Sequence, residues 1–297
     1  MPYGLFAIGT VAAYDDVMSF ALGYNTNGFA HHRLSDAIDI IADIGYQAVA
    51  ITLDHHSLNP LGPTDLEREI DAVREQLARR KLRCVVETGA RFLLHPRRKH
   101  WPTLVSRQPR QRACRLHFLA CSIEIASRLD AEAVSFWSGA ADPDLTLDDA
   151  WRFLVHGCRE LVHRAAEHDM RLAFEPEPGM MIERLDDFDR LAAEIDDPRF
   201  GLTLDLGHVH CLDDGDPAER IRRYADRLFN VHIEDMRAGM HEHLMFGEGE
   251  MRFEPIVAAL GSVGYSGTVN VELSRHSHDA VHAAQAAYEY VQRCRAQ

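Results

Sequence analysis

The sequence predicts an α/β fold of the (β/α)8 TIM-barrel class, arranged as a single domain. Short apolar runs rich in β-branched residues alternate with longer amphipathic segments, and this alternation repeats eight times along the chain. Strands that alternate with helices form parallel sheets, and eight such units match a closed barrel. A doubly wound open sheet is the alternative, but the sequence lacks the Gly-rich turn expected after one of its early strands.

The predicted strands and helices follow one another along the chain. Ser35, Thr64 and Thr146 stand close to helix starts and are suited to act as N-terminal caps. The strands are predicted at residues 18–24, 47–54, 82–89, 131–137, 170–177, 200–208, 228–235 and 267–274. The helices are predicted at residues 33–45, 64–80, 114–129, 146–168, 184–195, 216–226, 252–264 and 279–294.

Two segments fall outside this repeating pattern. Residues 1–17 precede the first strand as an N-terminal extension, so the barrel is predicted to span residues 18–297. A basic insert at residues 90–112 follows the third strand. Connections that follow barrel strands lie at the mouth of the barrel, so the insert is expected close to any site there.

The composition of this insert allows two interpretations. Residues 91–115 contain eight Arg or Lys and no Asp or Glu. The segment can be a lid in which Lys99, His100 and Trp101 contact the substrate, with Trp101 stacking on a ring. It can instead be a solvated loop or a contact between subunits of a homo-oligomer, which we favour for the arginines farther along the chain.

Overall composition excludes several classes of partner. The net charge is −14, from 46 acidic and 32 basic residues, which disfavours nucleic acids because their binding depends on neutralising phosphates. No apolar run is long enough to span a membrane. The six cysteines are dispersed without CxxC pairs, a pattern that predicts reduced thiols and a cytoplasmic protein. A small-molecule substrate remains as the expected partner.

Polar residues end four consecutive predicted strands, the fifth to the eighth. They are Glu175, Asp205, His232 and Glu272. Active sites of TIM barrels lie at the carboxyl ends of the strands, and neighbouring strands are about 5 Å apart. We therefore expect the four side chains to converge on one point at the barrel mouth.

A metal ion would explain this convergence. Three carboxylates packed together repel one another, and a divalent cation removes that repulsion while accepting a neutral imidazole as a ligand. The oxygen-rich set without thiolates favours Mn²⁺ or Mg²⁺, with Co²⁺ as an alternative, over Zn²⁺. A single strand-end carboxylate is more often a helix cap or surface residue, but four in register are poorly explained that way. Glu87, which ends the third strand, is expected to contact the substrate or to pair with an arginine of the insert.

Several segments resemble one known superfamily. They are "FEPEPG", "LDLGH", "VHIEDM", "HLMFGEGEMRF" and "GYSGTVNVELS". Together they resemble the xylose isomerase-like TIM barrels, and within these the sugar phosphate isomerase/epimerase branch that includes ketose 3-epimerases. The resemblance covers about residues 18–295 and is strongest after residue 170.

The resemblance implies roles for individual residues. Glu175 and Glu272 match the pair that moves the substrate proton. His208 matches a substrate-contacting histidine, and Arg237 lies near the position of a substrate-contacting arginine, although its spacing from His232 differs. The residues that match the metal ligands of the family are Glu175, Asp205, His232 and Glu272.

These residues predict a metal-dependent isomerase or epimerase of a small sugar, keto-sugar or cyclitol that works through an enediolate. A keto-sugar or inosose dehydratase or lyase on the same site is the main alternative. A sugar-binding barrel without catalysis and an endonuclease IV-like nuclease are further alternatives. The endonuclease pattern is echoed at His243, which is expected to bind substrate or a second ion, or to position its loop.

Overall fold

The computed structural model describes residues 20–62, 65–89 and 91–296, and within them eight parallel strands close into a barrel. The predicted fold class is therefore confirmed. The predicted extension at residues 1–17 and the predicted cap Thr64 lie outside the described residues. Around the barrel the strands follow chain order and are β1 (Ala21–Asn25), β2 (Ala48–Thr52), β3 (Arg83–Glu87), β4 (Val134–Phe136), β5 (Leu172–Phe174), β6 (Phe200–Asp205), β7 (Leu228–Ile233) and β10 (Thr268–Val271).

Helices surround the barrel, and one antiparallel hairpin stands apart from it. The hairpin consists of β8 (Asp235–Arg237) and β9 (Met240–Leu244), directly after β7. No helix in the described ranges is both long and apolar enough to cross a bilayer. The helices are α1 (Leu34–Ile44), α2 (Leu66–Arg80), α3 (Pro109–Arg128), α4 (Leu147–Glu167), α5 (Leu185–Ile195), α6 (Leu206–Cys211), α7 (Pro217–Tyr224), α8 (Phe253–Ser262) and α9 (Ala280–Arg295).

The core lies between the barrel strands and the helices that cover them. Strand β2 is buried along its whole length, as expected where helices cover a parallel sheet. Phe136, Phe174 and Phe200 come from three neighbouring strands and pack with Phe188 of α5, and all four are almost inaccessible to solvent. This packing holds β4, β5 and β6 in place beneath the barrel mouth.

Of the two predicted helix caps within the described residues, one is present and the other is not. Thr146 caps α4, because its hydroxyl accepts a hydrogen bond from the backbone N–H of Asp149 at 3.1 Å. The prediction for Ser35 is wrong, since α1 already begins at Leu34. Arg33 occupies the cap position there in an extended conformation and provides no side-chain cap.

The basic insert is only partly an irregular loop. Helix α3 begins at Pro109, so the last residues of the predicted segment 90–112 belong to a helix. The solvated-loop interpretation is wrong for Arg115, which is fully buried in this helix. Its guanidinium stacks on Trp137 at 4.3 Å from the ring centroid and donates to the carbonyl of Thr88 at 3.1 Å. The aromatic face and the carbonyl replace part of the water contacts of this guanidinium, whereas Nε and Nη1 have no hydrogen-bond partner among the described residues.

Candidate metal centre

The structure brings the four strand-end residues together at the barrel mouth. One potential ligand atom from each of them lies within 4.8 Å of the others. His232 Nδ1 is 3.1 Å from Glu175 Oε1, 3.0 Å from Glu272 Oε2 and 3.8 Å from Asp205 Oδ2. Atoms that each bind one ion at about 2.1 Å lie roughly 3 to 4 Å apart. The four residues could therefore hold a single divalent cation.

The register of the sheet explains why these side chains meet. Asp205 pairs with His232 across β6 and β7, and His232 is in register with Asn270 of β10, two residues before Glu272. Glu175 follows the last residue of β5 directly. Because the strands are parallel, their carboxyl ends lie at the same end of the barrel.

In each of two carboxylates, those of Asp205 and Glu272, a hydrogen bond holds one oxygen and leaves the second oxygen directed to the centre. Asp205 caps α6 by accepting from the backbone N–H of His208 at 2.8 Å through Oδ1. Glu272 Oε1 accepts from Asn27 Nδ2 at 2.8 Å. The second oxygen of each carboxylate, Asp205 Oδ2 and Glu272 Oε2, faces His232 Nδ1.

Glu87 supports the imidazole of His232 from the other side. Its Oε1 lies 2.9 Å from His232 Nε2 and also accepts from Asn230 Nδ2 at 3.0 Å. Since a carboxylate only accepts, Nε2 carries the hydrogen and Nδ1 is directed to the centre, which is the usual arrangement of a metal-binding histidine. Glu87 also lines the central cavity. The expectation that it pairs with an arginine of the insert is wrong, because its partners are His232 and Asn230.

The electrostatics of the centre favour bound positive charge. Burial raises the pKa of Glu175 to about 8, although His232 opposes this shift. Burial disfavours a charged His232, but Glu87, Glu175 and Glu272 outweigh it and hold its pKa well above the ordinary value. The pKa of Glu272 is low, since the attraction of His232 overcomes the effect of burial. A proton or a metal ion is therefore strongly attracted to this cluster.

A polar cavity of about 230 Å³ opens above these residues. Lys99 and His100 of the insert line it. Trp101 does not line it, because its ring is turned toward Arg98, whose guanidinium carbon lies 4.0 Å from the ring centroid. Trp137, at the end of β4, takes that place and contacts the His100 ring at 5.3 Å between centroids.

Two residues assigned to substrate contact lie elsewhere. His208 is buried beside the cavity, with Nδ1 3.2 Å from the carbonyl of Pro176 and Nε2 3.1 Å from His241 Nε2. Arg237 is exposed on the hairpin and donates to the carbonyl of Glu248 at 2.7 Å. The hairpin thus directs Arg237 away, and the arginine that lines the cavity from this side is Arg275. His243, by contrast, does line the cavity.

Several lining residues received no role from the sequence. Asn27, Trp137 and Glu177 follow strands β1, β4 and β5 closely, so the strand-end rule that found the four central residues could have included them. The others belong to loops or to the hairpin, where periodicity carries no signal. The residues added by the structure are Asn27, Arg91, Trp137, Glu177, His241 and Arg275.

Sequence comparison supports the same assignment of fold. The family model described as xylose isomerase-like TIM barrel matches residues 38–294. An inosose dehydratase of Geobacillus kaustophilus is 31% identical over 206 residues, which are 60% of this chain and 65% of that protein. An inosose dehydratase of Lacticaseibacillus casei is 30% identical over 142 residues, 42% of this chain and 47% of that protein. The chain therefore spans about half to two thirds of the length of these relatives.

Solved structures share the architecture over almost the whole chain. A D-tagatose 3-epimerase-like protein superimposes with a TM-score of 0.74 at 21% identity, covering 92% of this chain and 99% of that one. The IolI protein with a bound zinc atom gives a TM-score of 0.73 at 17% identity, covering 93% and 98%. At these identities the likeness concerns the fold.

Proposed function

Because the chain belongs to the xylose isomerase-like TIM-barrel family, we propose that it is a metal-dependent isomerase or epimerase of a small sugar, keto-sugar or cyclitol. One observation carries the proposal. Glu175 and Glu272 lie 3.1 and 3.0 Å from the same imidazole nitrogen of His232, at the base of a polar cavity. Two carboxylates at one cation site can supply both ligands and proton acceptors.

Four residues would hold the ion: Glu175, Asp205, His232 and Glu272. Mn²⁺ is the expected metal, with Mg²⁺ or Co²⁺ as alternatives, because the donor set is rich in oxygen. Zn²⁺ is less suited by this argument, although the similar IolI protein binds it. When bound, a divalent ion would polarise a substrate carbonyl and its neighbouring hydroxyl and so stabilise an enediolate.

The two glutamates are placed to move the substrate proton. Glu175 follows β5 and Glu272 follows β10, and β6 and β7 lie between these strands. They therefore approach a substrate in the cavity from different sides. One carboxylate removes the proton next to the carbonyl, and the other can return one. Return to the opposite face of the same carbon is epimerisation, and return to the neighbouring carbon is aldose–ketose isomerisation.

Residues above the centre suit a polyhydroxylated or anionic substrate. Arg91, Lys99 and Arg275 bring positive charge to the cavity wall, and His100 and Asn27 add hydrogen-bonding groups. The insert would thus act as a lid through Lys99 and His100.

All six cysteines fall within the described residues and are free thiols, which supports a reducing compartment such as the cytoplasm.

A dehydratase or lyase is the second candidate, and two observations favour it. Inosose dehydratases are among the sequence relatives. The cavity also contains a potential proton donor besides the two glutamates, namely Lys99. A donor placed near the hydroxyl on the next carbon could protonate it as it leaves as water. Proton removal beside the carbonyl would be common to both reactions.

Solvent exchange separates these possibilities. The protein, supplied with Mn²⁺, is incubated in D₂O with a panel of ketohexoses, ketopentoses and inososes. Deuterium incorporation without loss of water supports the isomerase or epimerase. A product that has lost one water molecule supports the dehydratase. Glu272→Gln serves as the control that should show neither. If the wild-type protein binds a sugar but exchanges no proton with any member of the panel, it is a binding protein and the proposal is wrong.

A further inference from the structure

A second cavity opens beside the one above the candidate metal centre. It has a volume of about 580 Å³, compared with about 230 Å³ for the first, and the segments that follow β1 and β2 form most of its walls. We propose that this second cavity is a substrate subsite, which holds an apolar, ring-shaped group joined to the reacting sugar or cyclitol. The inference rests on the proposed function, because the sugar itself would occupy the first cavity.

The two cavities meet at three residues that line both of them, Asn27, Thr52 and Arg91. Thr52 ends β2, and its hydroxyl donates to Asn25 Oδ1 at 2.7 Å. Arg91 of the insert donates to the backbone carbonyl of Asn27 at 3.0 Å. These hydrogen bonds hold the boundary between the cavities in place. A group attached to a sugar in the first cavity can therefore extend into the second.

Asn27 connects this boundary to the candidate metal centre. Its Nδ2 donates to Glu272 Oε1 at 2.8 Å. Its Oδ1 is buried and has no hydrogen-bond partner within the described part of the chain. A buried amide oxygen without a partner is costly, and a hydroxyl of a bound sugar would donate to it. Asn27 thus offers an acceptor at the point where the two parts of the substrate would be joined.

The inner wall of the second cavity is apolar. Phe29 and Ala37 are buried, and Leu34 is partly buried and packs against the core. Asp54 and Arg91 are the only Asp, Glu, Lys or Arg side chains among the described residues that line it. The first cavity, by contrast, is lined by four glutamates and three cations. The first therefore suits a polyhydroxylated ring, and the second suits an apolar one.

Polar atoms without partners also point to a ligand in the second cavity. His32 Nδ1 and Ser57 Oγ are buried, and neither has a hydrogen-bond partner among the residues that the structure describes. The ring of His32 lies edge-to-face against Phe29, with 5.1 Å between the centroids. Aromatic rings pack well against one another in this geometry. A phenolic group, which combines an aromatic face with a hydroxyl, would match these partners.

The loop after β2 holds its side of the cavity in a defined conformation. Asp54 and Ser57 exchange two backbone hydrogen bonds, each of 3.0 Å. Sites for drug-sized ligands are usually formed in advance and have volumes of roughly 300 to 1,000 Å³. The second cavity lies within that range, whereas the first is smaller. We therefore assign the substrate to the class of aryl glycosides or aryl-substituted cyclitols.

Matched glycosides test the subsite without any turnover. The probes are 4-nitrophenyl and methyl D-glucopyranosides, each as the α and the β anomer, and calorimetry on Mn²⁺-supplied protein measures their affinities. For at least one anomer we expect the 4-nitrophenyl glycoside to bind tighter than the methyl glycoside by about tenfold or more, equivalent to about 1.4 kcal/mol. The absorption spectrum of the nitrophenyl group gives a second readout, because it changes when the ring leaves water.

Filling the cavity should remove this preference. Ala30 is exposed and lines the second cavity but not the first. In Ala30→Trp the ratio of the two affinities is expected to fall to about one. Ala258→Trp is the matched control, since Ala258 is exposed on α8 and lines neither cavity, and it should keep the wild-type ratio. His55→Trp, at another exposed lining position, provides a second variant if Ala30→Trp does not fold.

The outcomes distinguish this inference from the proposed function. Equal affinity of the wild type for the 4-nitrophenyl and methyl glycosides, or no binding of either, would overturn the subsite. The proposed function would be unaffected, because proton exchange with free sugars tests it separately. A wild-type ratio in both Ala30→Trp and His55→Trp would place the aryl group elsewhere. If Ala30→Trp changes the molecular mass in solution and leaves the ratio as it is, the cavity belongs to a contact between two copies of the chain and the inference is wrong.

Discussion

Glu87 Oε1 lies 2.9 Å from His232 Nε2, on the side of the imidazole that faces away from the other carboxylates. This contact sets the ring orientation and leaves Nδ1 for the centre. It joins strand β3 to strand β7 across the barrel, so the third strand contributes to the site although it supplies none of the proposed ligands.

The Glu87 contact predicts an indirect effect on metal binding. Glu87→Gln is expected to lower Mn²⁺ affinity about tenfold or more, since partners of this kind typically contribute 10- to 100-fold. Titration calorimetry on chelator-treated protein measures it. Glu132→Gln is the matched control, because the Glu132 carboxylate also pairs with a side chain, that of Arg83, but at the start of β3. Equal affinity of Glu87→Gln and wild type would show that the contact does not support the metal.

Asp205 and Glu272 are expected to respond differently to substitution. Asp205→Asn should mainly weaken metal affinity, so that its turnover recovers as the Mn²⁺ concentration is raised. Glu272→Gln should lose about 10²- to 10⁴-fold in turnover at any metal concentration, because the proton acceptor is gone. Metal titrations of activity for both variants measure this. Full recovery of Glu272→Gln by metal would exclude Glu272 from the proton transfer.

The lid interpretation predicts an effect of Lys99 and His100 on catalysis. Lys99→Ala combined with His100→Ala should lower kcat/KM at least ~10-fold, equivalent to about 1.4 kcal/mol of transition-state binding. Trp101→Ala is the control within the same loop, and we expect its kinetics to resemble the wild type because the ring does not line the cavity. Unchanged kinetics of the double variant with a shifted oligomer equilibrium would assign the loop to a subunit contact.

The burial of His100 also leads us to predict a pH dependence of stability. Burial lowers its pKa from 6.5 to about 4. Between these values the unfolded chain binds a proton here that the folded chain does not, so this residue makes the free energy of unfolding fall as the pH drops from 6.5 to 4. His100→Gln should reduce that dependence. Urea unfolding at several pH values compares the two proteins, and parallel curves would contradict the assignment.

The sequence was sufficient for the barrel and for its central residues because both depend on periodicity. A strand of a covered parallel sheet reads as an apolar run, and the first polar residue after it lies at the barrel mouth. Glu175, Asp205, His232 and Glu272 were found in this way, and the structure brings them together. The metal itself stays a prediction.

The sequence was insufficient where side-chain direction depends on tertiary contacts. Trp101 and Trp137 are equally plausible ring-stacking residues in the sequence, but only the structure shows that Arg98 covers the first and that the second faces the cavity. Arg237 was expected at the cavity, but Arg275 lines it instead, and the cause is similar. The path of the β8–β9 hairpin, which carries Arg237, is not encoded by any repeating pattern.

The buried Arg115 has a consequence for redesign of this barrel. It fastens helix α3 to the carbonyl of Thr88 and to Trp137, which directly follow β3 and β4, whereas the loop residues 91–101 at the cavity lie outside this anchor and none of them is buried. Exchange of residues 91–101 between relatives could therefore change this wall of the cavity and leave the attachment of α3 intact. Substrate preference and fold retention would then be adjustable in separate stretches of the gene.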